Sequence, residues 1–148
     1  MPFHFSLQAV FHFRQSVEHQ EEMLLRAANQ RAARVRHLLD QLEAVIRTEE
    51  ILLSERLVAG TTSAELRFAL SRAAALEEHH QVLEHELARV QELRDQRQKV
   101  FRQARQQREA LESLRDRQLG EYERAASRRE QRQVDDLFLL RQTYLRRG

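Results

Sequence analysis

Residues 58–66 read VAGTTSAEL, and the fold turns on this stretch. Gly60 stands where a helix commonly ends in the left-handed conformation that glycine adopts without a Cβ penalty. Two residues on, Thr62 and Glu65 form a T-x-x-E capping box, the usual opening of a new helix. A stop signal followed at once by a start signal predicts a tight reversal between two helices. Few other reversals are available, because the 148 residues include only three Gly and one Pro.

Outward from the bend, hydrophobic periodicity carries a helix in each direction. Helix 1 is expected over about residues 7–58, the turn over about 59–62 and helix 2 over about 63–146. The predicted fold is all-α, with residues 1–148 forming a single antiparallel coiled-coil hairpin. Ser6 is placed to cap helix 1 through its hydroxyl, with Phe5 and Val10 as a hydrophobic staple. Ala9 at the third helical position leaves the reciprocal capping box unmade.

The seam of helix 1 reads Leu24, Ala28, Arg31, Val35, Leu38, Leu42, Val45, Glu49, Leu52, stepping by four and three as a heptad does. On helix 2 it reads Leu76, His80, Leu83, Leu87, Val90. It continues through Phe101, Ala104, Leu111, Tyr122 and Ala125, with Arg94, Arg97 and Arg108 intruding. Arginine stems lie along such a seam with their heads in water. Gly120 is a local weak point, costing about 1 kcal/mol relative to Ala.

At 1.5 Å per residue the helices are expected to run roughly 80 Å and roughly 125 Å. Folding about Gly60 and Thr61 then sets Phe5 opposite Asp116, and everything after about residue 117 overhangs. The overhang carries Val134, Leu137, Phe138, Leu139, Leu140, Tyr144 and Leu145 without an expected intramolecular cover.

Composition agrees with long helices. Charged residues make up 32% and aromatics only 6%, with no Trp; Ala, Glu, Leu, Arg and Gln dominate, as in coiled coils. No Cys is present, which excludes a disulfide framework and thiolate metal sites. No stretch reaches the ~18 apolar residues of a membrane span, and the N-terminus lacks the features of a signal peptide. The expected protein is soluble and intracellular. Net charge is +2, unevenly placed: residues 93–148 hold 15 basic and 9 acidic side chains. That third is the pole for an anionic partner. Arg outnumbers Lys 24 to 1, which fits either genome composition or the bidentate geometry of guanidinium.

Catalytic chemistry is missing from the pattern. Glu77 and His80 form an E-x-x-H, half of a di-iron carboxylate site, but no second such motif accompanies it. There is no phosphate-binding glycine loop, zinc-protease motif or nucleophile elbow. No cofactor is expected and the protein is read as a non-enzyme. Nucleic-acid binding has some support in the basic third, but acids interrupt it and no aromatic platform is evident. A dense Lys/Arg block for anionic membrane is also lacking.

Two stretches resemble one family. The N-terminal FHFSLQAVFHFRQSVEHQEEMLLRAA is a Phe-x-Phe-x-Leu start feeding a heptad. The C-terminal YERAASRREQRQVDDLFLLR is similar to an R-x-E-Q-[KR]-x-x-D-[DE] closing segment. Together, at the two ends of a hairpin of this length, they resemble the flagellar export protein FliJ family, stalk components of the flagellar type III secretion apparatus. The resemblance implies a noncatalytic coiled coil similar to the central stalk of rotary ATP synthases. It implies binding to the hexameric export ATPase FliI, to the export gate protein FlhA and to export chaperones, with a role in flagellum assembly and motility. It also implies a cytoplasmic location, held peripherally at the inner face of the cell membrane through those partners, and no nucleic acid.

For the ATPase, the resemblance points to the open end: Phe3, Phe5, Leu7, Arg128, Arg129, Glu130, Gln131, Asp135, Asp136, Leu137 and Phe138. For the gate it points to Phe68, Arg72, Ala75 and His79, with Arg72 where the family face is apolar. Phe68 and Ala75 also fit a seal on the hairpin, and the Arg128–Asp135 cluster also fits a solvated helix face. A generic coiled-coil adaptor, such as a virulence secretion stalk protein, remains the alternative, followed by a basic nucleic-acid binder.

Overall fold

A computed structural model describes residues 2–148, and two helices account for nearly all of them: α1, Gln8–Ala59, and α2, Ser63–Arg147. No strand occurs among the described residues. The reversal lies where the sequence places it. Gly60 has φ 99°, in the left-handed region that an L side chain enters only with strain. The Thr62 hydroxyl accepts from the Glu65 amide at 3.2 Å, and the Glu65 carboxylate accepts from the Thr61 hydroxyl at 3.0 Å. The second half of the capping box thus closes one residue early, on a side chain instead of a backbone amide.

The start of α1 departs from expectation. The Gln8 amide donates to the Phe5 carbonyl at 3.1 Å, so a backbone turn takes the donor expected to need the Ser6 hydroxyl. Phe5 is buried while Val10 stays exposed, so the staple does not cover Val10. The first residues instead lay Phe5 and Phe3 against the structure as a short non-helical segment that ends in a turn at residues 6–7. Near the other end, α2 runs through Gly120 without interruption.

The chain divides into two units, His19–Arg102 and the residues up to Glu18 with Gln103–Gly148. In the first, the core consists of Ala32, Val35, Leu39, Leu87 and Val90, with Leu83 packed against it. Val90 is the most completely enclosed side chain. Cross-helix ion pairs flank this core: Arg31 with Glu86 at 3.4 Å, Arg72 with Glu49 at 3.3 Å and Arg97 with Glu21 at 3.7 Å.

The seam of α1 corrects the one read from sequence. Ala28, Val35, Leu42 and Glu49 lie on it as expected, but the intervening positions are Leu25, Ala32, Leu39, Ile46 and Leu53. Leu38 is 50% exposed, whereas Leu39 is 3% exposed. Leu24, Val45 and Leu52 are likewise exposed. The sequence doubles its apolar residues at 24–25, 38–39, 45–46 and 52–53, so two rows one residue apart are equally apolar there. Position 31/32 decides: the inner row receives Ala32 and Arg31 stays at the surface. The seam of α2 follows the expected residues, including His80, Arg94 and Arg108, except that Arg97 is exposed.

In the second unit Phe11 and Ala104 are buried. Arg108 is the central polar contact. Its Nε donates to Glu18 at 2.6 Å, and Nη1 also donates to Glu112. Arg14 donates to Gln107 at 2.7 Å, and the Arg115 guanidinium lies 5.6 Å from the Phe11 ring centre. A long guanidinium thus replaces an apolar seam residue where two carboxylates satisfy it.

Candidate functional site

In the unit containing both termini, the expected ATPase-facing residues fall into two groups. Phe3 and Phe5 belong to packing. Phe5 is buried, and Phe3 is half-buried with its ring 5.7 Å from that of Tyr122 at 51°. Leu7 lies at the edge of exposure. The N-terminal segment therefore covers α2 to about Ala126, since Gln118, Leu119, Tyr122, Ala125 and Ala126 are all half-buried. The overhang expected after residue 117 begins instead at Ser127. The expected register counted the first residues at the helical rise of about 1.5 Å, whereas residues 2–7 are not helical.

From Ser127 onward every residue is exposed, including Arg128, Arg129, Glu130, Gln131, Asp135, Asp136, Leu137 and Phe138. Local contacts hold this stretch as helix: Gln131 donates to Asp135 at 3.0 Å, and the Thr143 hydroxyl donates to the Leu139 carbonyl at 2.9 Å. The apolar residues are not confined to one stripe. Leu137, Phe138, Leu139 and Leu140 are consecutive and all more than half exposed. Four consecutive residues exceed one turn of 3.6, so they point to every side of the helix. Such a segment is suited to a partner that surrounds it. Arg128, Arg129 and Arg132 precede it by about two turns.

In the unit containing the bend, Phe68, Arg72, Ala75 and His79 are all exposed and spaced to share one face of α2. Phe68 is 69% exposed. Arg72, out of place in an apolar face, reaches Glu49 of α1 and so fastens that face to the hairpin. Ile51, Leu57, Val58 and Leu70 add exposed apolar surface near the bend. Sequence reading passed over these four, although Leu57 and Val58 immediately before the helix stop were a usable signal.

His80 lies between three carboxylates. Its Nε2 is 3.2 Å from Glu43 of α1 and its Nδ1 is 3.5 Å from Glu84. The hydrogen bond to Glu43 raises its pKa above the ordinary value, partial desolvation opposes this, and Glu84 and Glu77 add to the rise. Opposite charges close to an imidazole favour its protonated form. Glu77 of the E-x-x-H thus acts on His80 through charge. Among the described residues, no group of three or more His, Asp or Glu is placed to hold a metal ion.

No helix among the described residues is long and apolar enough to cross a membrane. In comparison with known proteins, the family described as "Flagellar FliJ protein" matches residues 3–148. No curated protein and no solved structure matches the chain.

Proposed function

The chain belongs to the flagellar FliJ family, a family of flagellar export components, and from that premise we propose that it is a noncatalytic stalk of the export apparatus. The open end binds the hexameric export ATPase FliI. The tail enters the ring, with Leu137, Phe138, Leu139 and Leu140 as anchors and Arg128, Arg129, Glu130, Gln131, Asp135 and Asp136 meeting its polar lining. Leu7 lies at the rim of the same end, while Phe3 and Phe5 brace the base of the tail. Near the bend, Phe68, Ala75 and His79 contact the export gate protein FlhA, with Arg72 holding their face in place. The same chain handles export chaperones and supports flagellum assembly and motility. It works in the cytoplasm and reaches the inner face of the membrane through its partners.

The observation that carries this reading is the tail, exposed from Ser127 and apolar on all sides at 137–140. Exposed apolar surface of this kind marks an interaction site, and all-round exposure favours an enclosing partner over a one-sided groove. Deleting residues 130–148 removes almost no buried surface, so the melting temperature is expected to stay nearly unchanged. ATPase stimulation and flagellar export are expected to be lost. If the shortened protein still stimulates the ATPase and supports motility, the tail is not the contact. Hydrolysis of ATP by the purified chain alone, above trace contamination, is the result that removes the noncatalytic role.

A further inference from the structure

We propose that the groove beside the seam of the His19–Arg102 unit docks an amphipathic helix of a partner protein, one that bears leucines and carboxylates. The argument begins with α1. Its apolar residues fill three heptad rows between 24 and 53, whereas α2 covers two of them. Leu24, Leu38, Val45 and Leu52 form the third row, each 41–50% exposed. Three apolar positions in seven are the pattern of a helix with two neighbours, and two in seven suffice for a single coiled-coil seam. One neighbour is present in this chain.

The surface beside that row is concave. Ala27, Ala28, Val90 and Leu93 floor a hollow of about 340 Å³ rimmed by Arg31, Arg34 and Arg97. Arg34 also borders a second hollow, of about 390 Å³, with Ala33, His37 and Leu38. Alanines on the near side leave room for larger side chains from outside, as knobs enter holes.

Charge selects the occupant. Arg34 makes no ion pair among the described residues. Arg97 is 3.7 Å from its nearest carboxylate, Glu21, beyond hydrogen-bond distance. Arg31 shares Glu86 with Arg89, which holds that carboxylate through two shorter hydrogen bonds. The rim therefore has guanidinium donors to spare, a match for carboxylates on the incoming helix. A second copy fits poorly. The exposed row of α1 and the positions beside it at 27, 34, 41 and 48 hold Arg31 and Arg34 and no acid. Two such faces would bring cations together, and the carboxylates nearest the rim, Glu21 and Glu86, already face Arg97 and Arg89. This inference is independent of the ATPase and gate contacts.

The test uses the full chain and two fluorescein-labelled helical peptides. One has Leu at heptad positions a and d with Glu at e and g; the other has Lys in place of Glu. Fluorescence anisotropy is expected to show binding of the Glu peptide and not of the Lys peptide. Arg34→Glu and Leu38→Asp are each expected to weaken the Glu peptide at least about tenfold. Arg34→Lys should restore most of the affinity, and Val58→Ala, exposed and outside the groove, should leave it unchanged. Both weakened positions are exposed, so circular dichroism should show undiminished helix. Equal binding of the two peptides, or no loss in Arg34→Glu, overturns the proposal. So does a dimer in sedimentation equilibrium that Leu38→Asp dissolves, which assigns the face to a second copy.

Discussion

Adjacent leucines with identical chemistry are expected to respond unequally to truncation. Leu39 is 3% exposed and Leu38 is 50% exposed. Leu39→Ala removes three buried carbon groups, a transfer loss of about 2.4 kcal/mol at ~0.8 kcal/mol each. The space left beside Ala32, Val35, Leu87 and Val90 adds to this unless the helices close over it. A two-helix seam collapses more readily than a deep core, so about 2–3 kcal/mol is expected. Leu38→Ala forfeits about half the transfer term, roughly 1 kcal/mol, and regains a little because Ala is the better helix former. The helix-forming gain of Ala is common to both variants, so the gap between them is about 1–2 kcal/mol, centred near 1.5. Urea unfolding followed by far-ultraviolet circular dichroism resolves it, as slopes near 1–3 kcal/mol/M place the midpoints roughly 0.5–1.5 M apart. Both residues lie in the same unit, so the comparison holds even if the two units unfold separately. Equal costs, or a larger cost at Leu38, would return the seam to the row containing Leu38 and refute the register.

His80 should confer a pH dependence. Its folded pKa is raised above the ordinary 6.5, so its contribution is complete below about pH 6.5 and is lost as pH rises through the raised value. Melting temperatures should fall across that window in the native protein and not in His80→Gln; parallel profiles would exclude the effect. Gly60→Ala meets no atom within 4 Å of the new Cβ, so its cost is backbone strain alone, about 1–2 kcal/mol by thermal unfolding. A neutral outcome means that the turn relaxes out of the left-handed region. Arg108→Met leaves Glu18 without its cation and should cost about 1–3 kcal/mol. Adding Glu18→Leu should recover much of that loss, since a partly buried ion pair and an apolar pair of similar volume are often near equal. If the double variant is no better than the single one, Arg108 contributes through its stem.

The bend was legible because Gly60, Thr62 and Glu65 each carry a local cause that packing does not override. The α2 seam was legible as well, because Leu76, Leu83, Leu87 and Val90 fall on one four-and-three spacing. Between residues 76 and 101, apolar residues larger than Ala are adjacent only as Val82 beside Leu83 and Val100 beside Phe101. The α1 seam was not, since leucine and β-branched residues come in adjacent pairs and both phases satisfy a heptad. Only Ala32 against Arg31 breaks that tie, and its weight emerges when α2 is seen to lie over Val35 and Leu39. Phe5 illustrates a different limit. Its type marks a terminal anchor, but burial depends on the non-helical first residues lying along α2, which no periodicity records. The residues near the bend presented the reverse case: Phe68, Arg72, Ala75 and His79 share an exposed face, and only the structure shows Arg72 engaged with Glu49.

A single reversal at Gly60 also dictates an order of assembly. The contacts nearest the bend join residues close in sequence, as in Arg72 with Glu49, while Arg14 with Gln107 spans 93 positions. Closing the larger loop first would cost chain entropy that no neighbouring contact has yet offset. Once the inner pair is made, each further heptad adds only a short increment of closure. The hairpin is thus expected to zip outward from residue 60, with transition-state structure concentrated between Glu49 and Arg72 and fading toward the termini. A substitution at Leu53 or Leu66 should slow folding, whereas one at Phe11 or Ala104 should chiefly hasten unfolding.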